Sequence, residues 1–412
     1  MFVGSQQLWE RRTAVHNVNC VEREACTGCG ACEVVCPVQC IDMIVDREGF
    51  LCPTVDETRC VGCSKCLHSC SAYRKPCFKA RGRSVLFRSL EGGSEISSSG
   101  GAAFAIAMHV IERGGAVVAC SFDDRGVARH REFETIDDLR GMQGSKYVQS
   151  DAREGYRLCI SMLEDDREVL FVGTPCQVAA VKRLCPDKNG LITCDLICHG
   201  VPSPAFWAKD LEFQNSRGFL VPREDVQFRT SDKRSRANYE LCCKGVRGKR
   251  IPYEKDPYYS LFVKKASLRE SCYTCPYAQE ERVGDVTIGD CASRDKYPDF
   301  HPCESVSTVV ANTSAGEAVL ESVLSKKGSD FIDLDFVLEA RLNERLHKPS
   351  TRPGLRDFVY IDLNTHDYRS FAGKYCERVT IKWRLKRLVK LLVPVDARVF
   401  LKRKARGLSN RG

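Results

Sequence analysis

Short apolar runs, each closed by glycine, proline or a charged turn, recur along this chain and predict alternating strands and helices. Residues 41–55 (IDMIVDREGFLCPTV) read as a hairpin that turns near Glu48-Gly49. The run at 84–90 predicts a strand, and a Ser/Gly-rich stretch at 91–101 follows it. An alanine-rich helix is expected over 102–112, started by a serine cap and stopped by Gly114-Gly115, before a buried strand at 116–121 (AVVACS). That order of strand, turn, helix and strand is a βαβ unit. The pattern returns at 168–173 (EVLFVG), where Thr174 as N-cap, Pro175 in the first turn and Gln177 closing a capping box open another helix. A second buried strand is expected at 191–197 with Ser203-Pro204 starting the next helix, and 285–290 (DVTIGD) predicts a short strand ending in an acidic loop. Residues 1–19 and 77–83 read as linkers. The fold class is therefore α+β in the N-terminal part and α/β beyond it.

With 412 residues, 43% of them hydrophobic, the chain is long enough for two or three domains with real cores. No run reaches the ~18 apolar residues of a membrane span, and the first 20 residues lack the apolar core of a signal peptide, so a cytoplasmic location is expected. The net charge of +9 suggests nucleic acid until it is located. Residues 374–412 hold 13 Lys or Arg and two acids, a local +11, which leaves −2 for residues 1–373. No nucleic-acid surface follows. Within that tail Ile381, Leu385, Leu388 and Leu392 recur at helical spacing with Trp383 nearby, which suits either an interfacial helix on anionic lipid or a helix packed on the protein's own body. Peripheral contact with the inner face of a membrane is thus one expectation for residues 374–412.

The cysteines change the picture most. Cys26, Cys29, Cys32 and Cys36, then Cys60, Cys63, Cys66 and Cys70, repeat one C-x-x-C-x-x-C-x-x-x-C spacing, with Pro37 after the first run. In two-cluster domains such a run gives three thiolates to one cubane and its fourth to the other. Cys26, Cys29, Cys32 and Cys70 are expected to hold one 4Fe-4S cluster, and Cys60, Cys63, Cys66 and Cys36 the second. Structural zinc needs only four ligands, usually as two separated pairs, so two copies of this denser pattern favour iron and sulfur. With 25 cysteines and these motifs, a reducing compartment is expected rather than a disulfide framework. A ferredoxin-type domain over 20–76 follows.

Four further places carry candidate chemistry. The turn Ser98-Ser99-Gly100-Gly101 opens a helix, and backbone N–H groups there form an anion site that suits a cofactor phosphate. Cys176 begins another helix, where the dipole stabilises a thiolate, and Cys198-His199-Gly200 lies at the carboxyl end of a strand, the edge at which sites gather in open α/β sheets. Cys272 and Cys275 (CYTCP) add two more sulfurs. Cys176, Cys198, Cys272 and Cys275 either converge on a third cluster or divide into buried thiols and a redox pair or zinc half-site. Cys120, Cys159, Cys185, Cys194, Cys242, Cys243 and Cys376 read as ordinary thiols.

The ordered strings SSSGGAAFAIA, GSKYVQS, VLFVGTPCQVAAVK, LICHGVPSP, LRESCYTCPYA and VTIGD resemble the coenzyme F420 hydrogenase/dehydrogenase beta-subunit family, in its bacterial form with an N-terminal two-cluster module. The resemblance spans roughly residues 20–358 and implies an iron–sulfur flavoprotein oxidoreductase, with an α/β flavin-binding catalytic domain over 84–373 and the basic tail over 374–412. It implies FAD or FMN near Ser98, Ser99, Gly100, Gly101, Lys146, Gly173, Thr174 and Pro175, a third cluster, and catalytic roles for Lys146, which would neutralise flavin charge, and His199, which would donate a proton. The substrate would be a small molecule, either coenzyme F420 or a sugar-linked compound. A redox partner is also implied, a ferredoxin or a hydrogenase or dehydrogenase subunit, and a non-catalytic electron-transfer subunit is the alternative reading. The chain departs from the family pattern at Cys291-Ala292-Ser293, where Phe-Trp-Gly is common, at 228–233, and at Ser71, where Pro often follows the last cysteine.

Overall fold

The computed structural model describes residues 17–400 except 75, 80–81, 91–96, 187, 220–221, 233–234, 244–249, 303, 378–379, 395–396 and 398–399. Most of the expected N-terminal linker, the first half of the Ser/Gly stretch and the end of the tail lie outside the described residues.

The N-terminal part is built on β1 (Ile41–Val45) and β2 (Leu51–Val55), an antiparallel pair. Its turn is held by Asp46, whose carboxylate accepts the N–H groups of Glu48 and Phe50, both at 2.9 Å. Two short helices, α1 (Ala31–Val34) and α2 (Lys65–Ser69), occupy equivalent places in the two cysteine runs. Each starts from a residue in left-handed conformation, Gly30 and Ser64. Val18, Ile41 and Leu67 form a small core among the cysteine sulfurs.

The body is a mixed eight-stranded sheet of order β13-β3-β12-β11-β7-β6-β4-β5. Its strands are β3 (Ser84–Ser89), β4 (Ala116–Phe122), β5 (Ala128–Phe133), β6 (Val169–Gly173), β7 (Leu191–Leu196), β11 (Val286–Asp290), β12 (Ser307–Ala311) and β13 (Ser329–Asp333). The centre, β4-β6-β7-β11, is parallel, and antiparallel strands extend it on both sides. Side chains alternate between faces as the two-residue period of a strand requires. Val117, Ala119, Leu170 and Val172 pack under α3 (Ala102–Glu112) and α8 (Ser314–Leu324); Ala116, Val118, Val169 and Phe171 pack under α4 (Arg153–Glu164) and α5 (Pro175–Leu184). The result is three layers, helix on sheet on helix.

The expected βαβ unit of 84–121 has the right elements but the wrong neighbours. β3 and β4 lie in one sheet with β12, β11, β7 and β6 between them. Strand adjacency is decided by long-range pairing, and β12 and β13 claim both edges of β3.

A second, aromatic core joins α6 (Pro204–Ser216), α7 (Pro257–Val263), α10 (Arg356–Thr365) and α11 (Tyr368–Tyr375) to a small sheet of β8 (Val226–Asp232), β9 (Ser235–Cys243) and β10 (Ile251–Pro252). Phe206, Trp207, Phe228 and Tyr258 meet in it with ring centroids 4.8–6.3 Å apart. One more helix, α9 (Phe336–Leu342), follows the large sheet. The tail forms α12 (Ile381–Leu392), which leaves Ile381, Leu385, Leu388, Val389 and Leu392 exposed, while Lys255 sits 5.2 Å over the Trp383 ring. Among the described residues no helix is long and apolar enough to cross a membrane.

Candidate functional site

The carboxyl ends of the parallel strands open onto a cavity of about 560 Å³, where sites gather in sheets of this kind. The ends of β4, β6, β7 and β11 all reach it, through Cys120, Gly173-Thr174, Cys198-His199-Gly200 and Asp290-Cys291. Ser98, Ser99, Gly101 and Lys146 line it too, whereas Gly100 and Pro175 shape the turns behind the wall. Gly100 has no room for a side chain, since a Cβ there would meet the backbone of Phe87 and Ser307. Its N–H donates to Ser307 Oγ at 2.9 Å.

The expected serine cap on α3 is not made. The N-cap is Gly101, at φ +85°, while Ser98 Oγ accepts from the Ser145 N–H at 2.7 Å and Ser99 Oγ donates to Val306 O at 2.8 Å. Both hydroxyls are used to tie the turn to neighbouring loops. The capping box of α5 does form, with Gln177 Oε1 accepting from the Thr174 N–H at 3.0 Å. Lys146 donates to the carbonyls of Gly141, Met142 and Gln143 at 2.8–3.1 Å, so its ammonium is anchored while its charge faces the cavity wall.

His199 is exposed to the cavity, yet the walls around it, helped by the charge of Arg345, push its pKa down to about 4. It is therefore neutral near pH 7 rather than a cationic acid. Two cavity residues escaped the sequence reading. Arg229 is buried and pairs with Asp290 at 2.5 Å, and Arg345 is buried and held by Ser350 at 3.1 Å. Arg229 carries no local sequence signature, because its partner lies 61 residues along the chain. Cys291 and Ala292 also line the cavity, and their loop is fixed by the buried Glu339, which accepts the N–H groups of Ala292 and Ser293 at 2.9 and 2.7 Å. Both side chains are small, so this part of the wall is open. Cys120, read as incidental, forms part of the same wall.

Two sets of cysteines line small cavities in the N-terminal part. Cys26, Cys29, Cys32 and Cys70 line a cavity of about 130 Å³, together with the unanticipated Cys52. Cys36, Cys60, Cys63 and Cys66 line a smaller one of about 10 Å³, with Cys40 beside them. Among the described residues no three His, Cys, Asp or Glu side chains close on a point suited to a single ion. A cubane holds its thiolates at separate corners, so its ligands need not converge that tightly.

Cys176, Cys198, Cys272 and Cys275, drawn from three loops, also come together, close enough for their charges to interact. Arg282 explains the meeting. This buried guanidinium donates to Tyr277 O and to Leu196 O, both at 2.9 Å, and pairs with the buried Asp195 at 3.4 Å, so it pins the C-x-x-C loop to the end of β7. The Arg269 N–H adds a bond to Val201 O at 2.9 Å. The expected thiolate at Cys176 is not favoured by its surroundings. Burial pushes that thiol well up, and likewise Cys198 to about 11 and Cys272 to about 12, outweighing the helix dipole. Near pH 7 these thiols stay protonated on their own, and metal binding is one way to deprotonate them.

The groups also adjoin one another. Cys29 packs with Cys176 and Cys275 around Tyr156 and Tyr277, and the Tyr156 hydroxyl is buried without a hydrogen-bond partner. Ser71 serves this junction: its carbonyl accepts from Tyr277 Oη at 2.8 Å and its hydroxyl lies 3.5 Å from Cys29 Sγ. The substitution for proline thus brings a donor to a candidate ligand. Cys198 belongs both to this group and to the large cavity.

Residues 166–335, from β6 through β13, match the family described as the C terminus of the coenzyme F420 hydrogenase/dehydrogenase beta subunit. That segment belongs to the F420 hydrogenase/dehydrogenase beta-subunit family. The matched segment contains all four cysteines of the third group together with His199. Among solved structures, the chain is similar to one from the F420-reducing NiFe hydrogenase complex from Methanosarcina barkeri, at 16% identity and a TM-score of 0.47, over 71% of this chain and 95% of that one. No curated protein matches the chain.

Proposed function

We propose that this beta-subunit-family chain is an iron–sulfur flavoprotein oxidoreductase that moves electrons between three 4Fe-4S clusters and a flavin, FAD or FMN, to reduce or oxidise a small substrate. The observation that carries the reading is the succession of cysteine groups, with Cys29 beside Cys176 and Cys198 opening onto the large cavity. The donor sets fit: each group offers four thiols, and the orphaned Tyr156 hydroxyl suits a sulfur acceptor. When bound, clusters carry single electrons and a flavin exchanges one or two. The two N-terminal groups would form the ferredoxin-type domain over 20–76, and the body over 84–373 would hold the flavin against Ser98, Ser99, Gly101, Lys146, Gly173 and Thr174.

The chain's own residues supply the rest. Neutral His199 exchanges a proton at the cavity edge, while Arg229 and Arg345, ion-paired with Asp290 and Glu344, offer guanidinium donors there to an anionic substrate, whether F420 or a sugar-linked compound. Cys63 and Val61 are exposed at the second cysteine group, which supports electron exchange there with a partner protein, a ferredoxin or a hydrogenase or dehydrogenase subunit. The same feature favours a second reading, in which the chain only relays electrons to a separate enzyme. The exposed apolar stripe of α12 amid basic residues supports peripheral contact with anionic lipid from the cytoplasmic side.

Anaerobic purification followed by iron, sulfide and flavin assay tests the reading. About twelve iron atoms and one flavin per chain are expected. Eight iron atoms would remove the third cluster, and a folded, active preparation free of iron and flavin would overturn the proposal.

A further inference from the structure

Arg269 lies outside the cavity and its side chain is buried, with only 4% of the residue's surface exposed. Its guanidinium donates to Cys26 O at 2.6 Å, Leu51 O at 3.0 Å, Gln149 Oε1 at 3.2 Å and Cys52 Sγ at 3.1 Å. It stacks 5.2 Å from the Phe50 ring centre. None of these partners is a carboxylate. A buried cation without a counter-charge is costly to keep, and proteins pair such groups or place them against a metal centre.

Two candidate clusters flank it. Cys26 belongs to the first cysteine group, and Cys272, three residues along the chain from Arg269, belongs to the third; both lie near enough to interact with its charge. The surroundings are shaped around the guanidinium. Gly28, at φ +64°, leaves it room, since a Cβ there would come within 2.5 Å of Arg269 Nη1.

We infer that Arg269 is a shared counter-ion for the first and third cysteine groups, a positioning residue whose fixed charge raises the reduction potentials of the clusters bound there. The inference rests on the iron–sulfur reading above. Each one-electron reduction adds a negative charge to a cluster, so a fixed cation beside it favours the reduced form. A residue placed between two centres acts on both and lifts both potentials.

The test is a potentiometric titration of the anaerobically prepared full chain, followed by electron paramagnetic resonance, on Arg269→Gln, Arg269→Lys and Arg269→Met. With iron content equal to wild type, Arg269→Gln should lower the midpoint of the flanking clusters by a factor of ten or more in the reduced-to-oxidised ratio, ~59 mV for one electron. Arg269→Lys should stay near wild type. Unchanged midpoints in fully loaded Arg269→Gln overturn the inference. If the neutral variants do not retain iron, the pattern of retention decides: a counter-ion requires Lys to keep iron where Gln and Met lose it, and loss in all three means packing and sinks the idea. A wild-type chain without iron would instead refute the iron–sulfur reading itself.

Discussion

Arg282 and His130 illustrate how single side chains set up the candidate site. Replacing Arg282 with methionine would leave the buried Asp195 without its cation and free the loop of Cys272 and Cys275, at a cost of about 3–5 kcal/mol. Denaturant unfolding should register the loss, and iron should fall from about twelve atoms toward eight because only the third group is released. Cys176→Ser should give the same iron count without the large destabilisation; unchanged iron would show that its sulfur is not a ligand. His130, stacked on Phe171 at 5.1 Å and bonded to Val172 O at 3.1 Å, is buried, which pushes its pKa down to about 4 from 6.5. The unfolded chain therefore binds the extra proton first. Its contribution to stability is complete above about pH 6.5 and drains away as pH falls toward 4, by up to about 3 kcal/mol, and His130→Gln should show a flatter stability profile across that window. The grouping of the N-terminal cysteines was legible from spacing, because each run is local in sequence. Arg229, Arg269 and Arg282 were not, because each acts on atoms far away in sequence.

At the level of elements, the sequence reading located most strands and helices around the site. The helix at 102–112 has the expected bounds, and the strand at 168–173 runs into the helix that Pro175 opens. The start of α3 differed: the serines serve neighbouring loops, and a left-handed glycine makes the turn. Gly100→Ala would force the backbones of Phe87 and Ser307 apart, so a loss of about 1–3 kcal/mol is expected in thermal unfolding, with reduced flavin content at equal iron. The tail behaves as a separate element. Its helix shows an apolar stripe to solvent, and truncation after Glu377, beyond the buried Tyr375, should abolish pelleting with anionic vesicles and leave iron unchanged. Equal pelleting would end the lipid proposal.

For the whole molecule, the arrangement matters more than any one group. The N-terminal unit docks on the body through the Glu33 ion pairs to Arg153 and Arg157 and through Glu48 to the buried Arg356, which sets the first cysteine group beside the third. Weakening that docking, as in Glu48→Gln, should slow electron passage between clusters in rapid-mixing experiments more than it alters total iron. Cysteine spacing, hydrophobic period and the position of glycine and proline by themselves determined the thiol sets, the α/β character and the edge at which a site would form, because each is encoded within a few consecutive residues. The strand order, the meeting of three loops at Cys176, Cys198, Cys272 and Cys275, the suppressed ionisation of those thiols and the arginines between them were decided only by the tertiary structure. Those features depend on burial and on contacts between residues tens to hundreds of positions apart, which no local pattern records.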